Sequence, residues 1–263
     1  MSARRVLVLI LLVAAVVVWP NQTALAKEPE PPVNPNWPEV APTAPPDPVS
    51  KLDGEQPPGA LSLSDIPLQP TAPDHASIDD FVGRPQTLPL SCESRSAVDW
   101  AGYFGFKIDE LAFLRALPVS ADPDIGFVGD VRGDWGQVPP NAYGVHAGPV
   151  ARLLQQYGVL AAFELYTPWQ TVQSEVAAGR PVMVWVTGHV GRGQGQIYTA
   201  PGGHRTVVAP YEHTVIVIGY GRGYVMVEDE GQHYLRSLDV FLQSWGALRN
   251  MAILAGGQSS SLP

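Results

Sequence analysis

From Lys27 to His75 the sequence carries about half of the chain's 27 prolines, in runs such as EPEPPVNPNWPEVAPTAPPDP. Proline removes a backbone donor and fixes φ, so neither a helix interior nor a central strand accommodates it repeatedly. The stretch also lacks the apolar periodicity that would offset the entropy of ordering it. It is expected to be an extended, largely disordered tether, with a proline-rich ligand for a partner domain as the alternative reading. Whatever folds must then be built between about residues 78 and 256, leaving 257–263 as a loose polar tail.

Ahead of the tether, MSARRVLVLILLVAAVVVWPNQTALA has the three parts of a secretory signal peptide. Arg4 and Arg5 come first, an apolar run extends from Val6 to Trp19, and small residues stand at Ala24 and Ala26. Cleavage is expected after Ala26, giving a signal peptide at 1–26, a tether at 27–77 and a secreted or cell-envelope location. An uncleaved anchor is the alternative, although the run is short for the ~20 residues of a spanning helix. The formal net charge of −9 comes without a basic stripe or tail, which argues against nucleic acid as a partner.

Within 78–256 the sequence period changes once. Ala97, Val98, Ala101 and Phe104 mark one helical face over Ser94–Phe104. IDELAFLRAL (108–117) reads as a second helix stopped by Pro118, and GPVARLLQQY (148–157) as a third ending before Gly158. Thr167-Pro168 opens a fourth, which Gly179 ends. Thereafter PVMVWVT (181–187), HRTVVAP (204–210), HTVIVIGY (213–220) and YVMVED (224–229) are β-branched, aromatic and separated by glycine or proline. A short helix near Leu238–Trp245 and a strand MAILA (251–255) close the chain. Helices followed by strands predict an α+β domain, with helices packed on an antiparallel sheet.

Cys92 is the only cysteine, so it has no partner for an internal disulfide and no companion for a multi-cysteine zinc site. Buried, it would be a small hydrophobe; reactive, it needs a setting that favours thiolate. Its place at the entry to the first helix supplies unpaired amides and the positive end of the helix dipole. His213 opens the apolar run TVIVIGY and is the candidate base. Asp229 ends the next strand, and hairpin pairing through GYGRG would make it the group that orients the imidazole. Gln86, six residues before Cys92, would add a side-chain donor to the Cys92 amide around a developing oxyanion.

This ordered set resembles the papain-like cysteine peptidases, and more closely the bacteriocin-processing-peptidase-like family. The carrying segments are Gln86 with CESRSAVDWAGYFGFKIDEL, the loop DPDIGFVGDVRGDWGQVPPNAYGVHAGPVA, AAGRPVMVWVT, and EHTVIVIGY with VEDEG. The resemblance implies a papain-like fold and peptide-bond hydrolysis through a thioester. Cys92 would be the nucleophile, His213 the base, Asp229 its orienter and Gln86 the oxyanion donor. One departure stands out: the family's usual Asp-Pro after the last strand is Asp229-Glu230, which leaves Glu228 as a rival orienter. The same thiol chemistry would serve an amidase or transpeptidase on cell-wall peptides, and a non-catalytic peptide-binding module would keep only the fold. No cofactor or metal is implied, and the expected partner is a peptide or protein substrate, with cell-envelope association through the N-terminal segment.

Other signals carry less. GHVGRGQG (188–195) lacks the lysine and following helix of a phosphate loop and reads as a flap near the cleft. Asp122, Asp124, Asp130 and Asp134 do not have calcium-loop spacing. Trp135 and Tyr143 either line a substrate groove or pin a long loop to the core. His146, His189 and His204 lack metal-motif spacing.

Overall fold

The structure is a computed structural model that describes residues 72–256. The expected signal peptide, nearly all of the tether and the tail lie outside the described residues. Residues 72–77, assigned to the tether from composition, run along the sheet instead. Tyr220 donates its hydroxyl to Pro73 O at 3.0 Å, and β1 (Ala76–Ser77) pairs with the strand containing Tyr220.

Four helices and one strand follow. α1 (Cys92–Tyr103) begins two residues earlier than the apolar spacing suggested, so Cys92 is its first residue. α2 (Glu110–Ala116) is capped by Asp109, whose Oδ1 accepts Ala112 N–H at 2.8 Å. Then come α3 (Ala147–Gln156), β2 (Ala161–Glu164) and α4 (Trp169–Ala177). The second half is mostly strand: β3 (Val182–Thr187), β4 (Gln196–Thr199), β5 (Arg205–Val208), β6 (Glu212–Gly221), β7 (Tyr224–Asp229) and β8 (Gln232–Ser237). α5 (Leu238–Gly246) and β9 (Ala252–Ala255) complete it.

The main sheet runs β2-β9-β3-β6-β7-β8, antiparallel throughout. β1 lies against β6 at Gly219–Tyr220, on the edge that β3 leaves free beyond Val217. β3 and β6 are buried at every position, which is why both read as nearly continuous apolar runs rather than alternating ones. β4 and β5 form a separate two-stranded ribbon. Besides β1, the strands β2, β4 and β8 were not visible in the sequence: they are largely exposed edge or ribbon strands without a long apolar run.

Three tryptophans anchor the core. Trp100, Trp185 and Trp245 are fully buried, and each indole N–H reaches a backbone carbonyl: Pro181 at 2.8 Å, Val145 at 2.9 Å and Met251 at 2.9 Å. A buried indole is stabilising only when its donor is paired, and these pairs tie α1, the loop before α3 and the end of α5 to the sheet.

Two tight hairpins fix the register near the site. β6 and β7 join through Arg222-Gly223, with Gly223 at φ 81°. β7 and β8 join through Glu230-Gly231, at φ 52° and 85°, the two positive values of a type I′ turn. Proline, locked near −65°, cannot stand at Glu230. The departure from Asp-Pro therefore has a backbone cause: the chain turns back at once and β8 pairs along all of β7.

Glu228, the rival orienter, is buried and used locally. Its Oε1 accepts Gly231 N–H at 2.6 Å, and a Cβ at Gly83 would fall 1.7 Å from that oxygen. Burial, with the charges of Asp99 and Asp229, raises its carboxyl from 4.5 to about 7. A carboxyl raised by folding stabilises while protonated; the contribution is complete below pH 4.5 and is lost as pH rises through about 7. Urea unfolding is expected to show stability falling over that window. Glu228→Gln, which keeps the acceptor, should flatten the fall by on the order of 2–3 kcal/mol. An unchanged slope would contradict this.

Candidate active site

The approach to Cys92 is fixed by a buried ionic cluster. Arg95, on the first turns of α1, lies 3.3 Å from Asp99 and 3.4 Å from Glu110. Glu110 in turn accepts Thr87 N–H at 2.9 Å, the Thr87 hydroxyl at 2.6 Å and the Ser91 hydroxyl at 2.7 Å. Asp99 accepts Arg84 N–H at 2.8 Å. Residues 84–91 are thereby clamped to α1 and α2, and Cys92 is delivered to the helix N-terminus, where the first amides have no intrahelical acceptor. The Ser91 side chain is spent on this clamp and does not cap the helix.

The structure brings His213 and Asp229 together as the hairpin reading required. His213 opens β6, Asp229 ends β7, and Nε2 lies 2.7 Å from Asp229 Oδ1. His213 Nδ1 is then the nitrogen left for chemistry. Asp229 Oδ2 receives two further donors, Tyr234 Oη at 2.6 Å from β8 and His189 Nδ1 at 2.7 Å from the loop after β3. Burial alone would raise the Asp229 carboxyl; the bond and charge of His213, then Tyr234 and His189, outweigh it and hold it at about 2. Asp229 is thus an ionised acceptor, and Glu228 does not touch the ring.

Cys92, His213, Gln86, Pro89, Trp135, His189 and Glu230 line one cleft of about 110 Å³. Trp135 lines this cleft and pins its loop: its indole N–H donates to Glu212 O at 2.9 Å, and its ring packs on His189 and His213 at 5.3 and 5.9 Å. Tyr143 is buried away from the cleft and faces His146. Gln86 lines the cleft but differs from expectation. Its amide nitrogen donates to Leu88 O and Pro89 O, both at 2.8 Å, so the protons foreseen for an oxyanion are already engaged in holding the turn before Cys92.

His189, Glu93 and Glu212 were not foreseen. His189 lay in a glycine-rich loop without periodicity. The two glutamates sit beside Cys92 and His213 in sequence, and that adjacency was the available signal. The thiol is buried and donates to Glu93 Oε2 at 3.4 Å. Burial, then the charges of Glu93 and Glu212, push it well above 9.0. The aspartates after Pro118 are also bound internally: Asp122 Oδ2 meets His204 Nδ1 and Asp124 Oδ1 meets His146 Nδ1, each at 2.6 Å.

A helix-borne cysteine and a carboxylate-anchored histidine lining one cleft define the class: a cysteine-type peptidase on an α+β scaffold. The family follows from comparison. The model of the Peptidase_C39 like family matches residues 78–253, and the chain belongs to that family. A protein described as a C39-like peptidase from Bacillus anthracis has the same fold, with a TM-score of 0.61 and 20% identity over 69% of this chain and 97% of that one. The peptidase domain of Streptococcus ComA, an ABC transporter, aligns at 14% identity over 67% and 99% of the two chains with a TM-score of 0.39. A Carica candamarcensis cysteine protease aligns at 15% identity over 69% and 97% with a TM-score of 0.38. A search of curated protein sequences gives no match.

Glu110→Ala tests the clamp. It leaves Arg95 with Asp99 alone and removes the carboxylate that accepts from Thr87 and Ser91, so denaturant unfolding should show a loss of about 2–4 kcal/mol. A loss under about 0.5 kcal/mol, the range of an ordinary surface substitution, would contradict it.

Proposed function

We propose that this chain is an exported peptidase that cleaves peptide bonds through Cys92, His213 and Asp229. The observation that carries the reading is the His213–Asp229 pair at 2.7 Å, opening on the same cleft as a thiol at a helix N-terminus. His213 Nδ1 takes the Cys92 proton, and Asp229 stabilises the imidazolium through Nε2. The thiolate attacks the substrate carbonyl; the negative charge on its oxygen is met by the Cys92 amide at the start of α1. The imidazolium then protonates the leaving amine, and a thioester remains. Water, deprotonated by His213, attacks the thioester and releases the acid and the thiol. Export rests on the expected signal peptide, and the proline-rich segment would then hold the enzyme at the cell envelope.

One observation favours a second reading, a peptide-binding module without turnover: the thiol is buried and its neighbours oppose ionisation. The two readings differ in measurable reactivity. Cleavage of a peptide library should be lost in Cys92→Ala, and Asp229→Asn should reduce it ~10²–10⁴-fold. Iodoacetamide should label Cys92 with an apparent thiol pKa that shifts in His213→Ala. A thiol whose profile ignores His213, in a chain that cleaves no peptide, would establish the binding module.

A further inference from the structure

Two carboxyl groups that the proposed mechanism does not use stand against its nucleophile. The sulfur of Cys92 and one oxygen each from Glu93 and Glu212 lie within 4.8 Å of one another. Both glutamates are buried, at 1% and 2% exposure. Glu93 Oε1 accepts Val145 N–H at 2.6 Å, while neither oxygen of Glu212 has a hydrogen-bond partner. Among the described residues no lysine, arginine or histidine pairs with either group. The backbone is shaped for them: Gly144 has φ 134°, and a Cβ there would fall 2.1 Å from Glu93 Oε1 and 2.9 Å from Glu212 Oε2.

Two ionised carboxylates cannot persist at this spacing in a dry site without a cation. The group best suited to satisfy the Glu212 oxygens is a proton. Taking Cys92 as the nucleophile, we propose that Glu93 and Glu212 are positioning residues that retain at least one proton between them and thereby set the ionisation of Cys92. With the pair protonated, the sulfur has neutral neighbours and can pass its proton to His213 Nδ1. When the first carboxyl proton leaves for bulk water, a negative charge stands against the sulfur and thiolate formation is opposed.

The direction in pH follows. Burial raises Glu93 from 4.5 to about 7, and burial with the Glu93 charge raises Glu212 well above 4.5. As pH rises through about 7 the pair begins to lose its first proton and to close the nucleophile. The other titratable groups facing the pair are Cys92 from α1, His213 beside Glu212 on β6, and Tyr143 from the loop before α3. The Tyr143 hydroxyl, 3.3 Å from His146 Nε2, is pushed well above 10.0 by burial and then by Glu212, so it stays neutral throughout.

The test is the iodoacetamide rate of the full chain from about pH 5 to 9 for wild type, Glu93→Gln, Glu212→Gln and the double variant. Glutamine keeps the volume and the acceptor for Val145. The double variant should lower the apparent thiol pKa by at least about one unit, equivalent to at least about tenfold faster labelling near neutrality. Glu212→Gln alone should not, because Glu93, the carboxyl in contact with the sulfur, still ionises and places its charge there. That non-additivity separates a charge effect from loosened packing. If the variants fail to fold, infrared spectra of wild type should show the carbonyl stretch of a protonated buried carboxyl at pH 6, weakening by pH 8. A wild-type profile in the double variant, or no such band at pH 6, would overturn the proposal. So would calcium or zinc bound stoichiometrically by wild type and lost from the double variant. Labelling needs no substrate: a chain that shows these shifts but cleaves nothing keeps the carboxyl assignment and loses the peptidase reading.

Discussion

One carboxylate organises this site. Asp229 accepts from His213, His189 and Tyr234, and it occupies the last position of a strand whose two hairpins fix its register. A register slip of one residue would turn Asp229 to the other face and present Glu228. The type I′ turn at Glu230-Gly231 guards against that, because it allows β8 to pair along the whole of β7 and to bring Tyr234 to the same carboxylate. The chemistry attributed to His213 therefore depends on backbone geometry two elements away.

At Cys92 two electrostatic influences compete, and their sizes decide the outcome. A helix N-terminus favours a thiolate by about 0.3–1 kcal/mol, up to about 2 in buried settings. A carboxylate charge at the 3.4 Å of Glu93 opposes it by about 5 kcal/mol at an effective dielectric of about 20. If the glutamates were ionised, the helix and His213 together would struggle to activate the sulfur. With the pair protonated, that charge opposition disappears and the helix N-terminus and imidazole have only burial to overcome.

Much of this was legible in the sequence, and the failures have physical causes. The central strands β3 and β6 could be read because burial on both faces leaves an unbroken apolar run; β2, β4 and β8 could not, because edge and ribbon strands need no such run. His213 and Asp229 were found from their places at strand ends. Gln86 was placed correctly beside Cys92, yet its amide protons are held by Leu88 and Pro89, a competition between side chain and backbone that spacing does not reveal. His189 and the Glu93–Glu212 pair escaped because their significance is purely spatial. A lone histidine in a glycine-rich loop and two glutamates 119 positions apart have no common pattern in one dimension.

The account stands on a cysteine sulfur and an imidazole meeting in one cleft with the carboxylate behind the ring. The most direct measurement is a crystal structure of the chain after reaction with a peptidyl chloromethyl ketone. The account predicts a single bond from the inhibitor to Cys92 Sγ, with His213 Nδ1 turned to the sulfur, Nε2 still on Asp229, and the peptide lying along the cleft that Trp135 and His189 line. An adduct elsewhere, or a His213 ring out of hydrogen-bond reach of the sulfur in the modified protein, would contradict it.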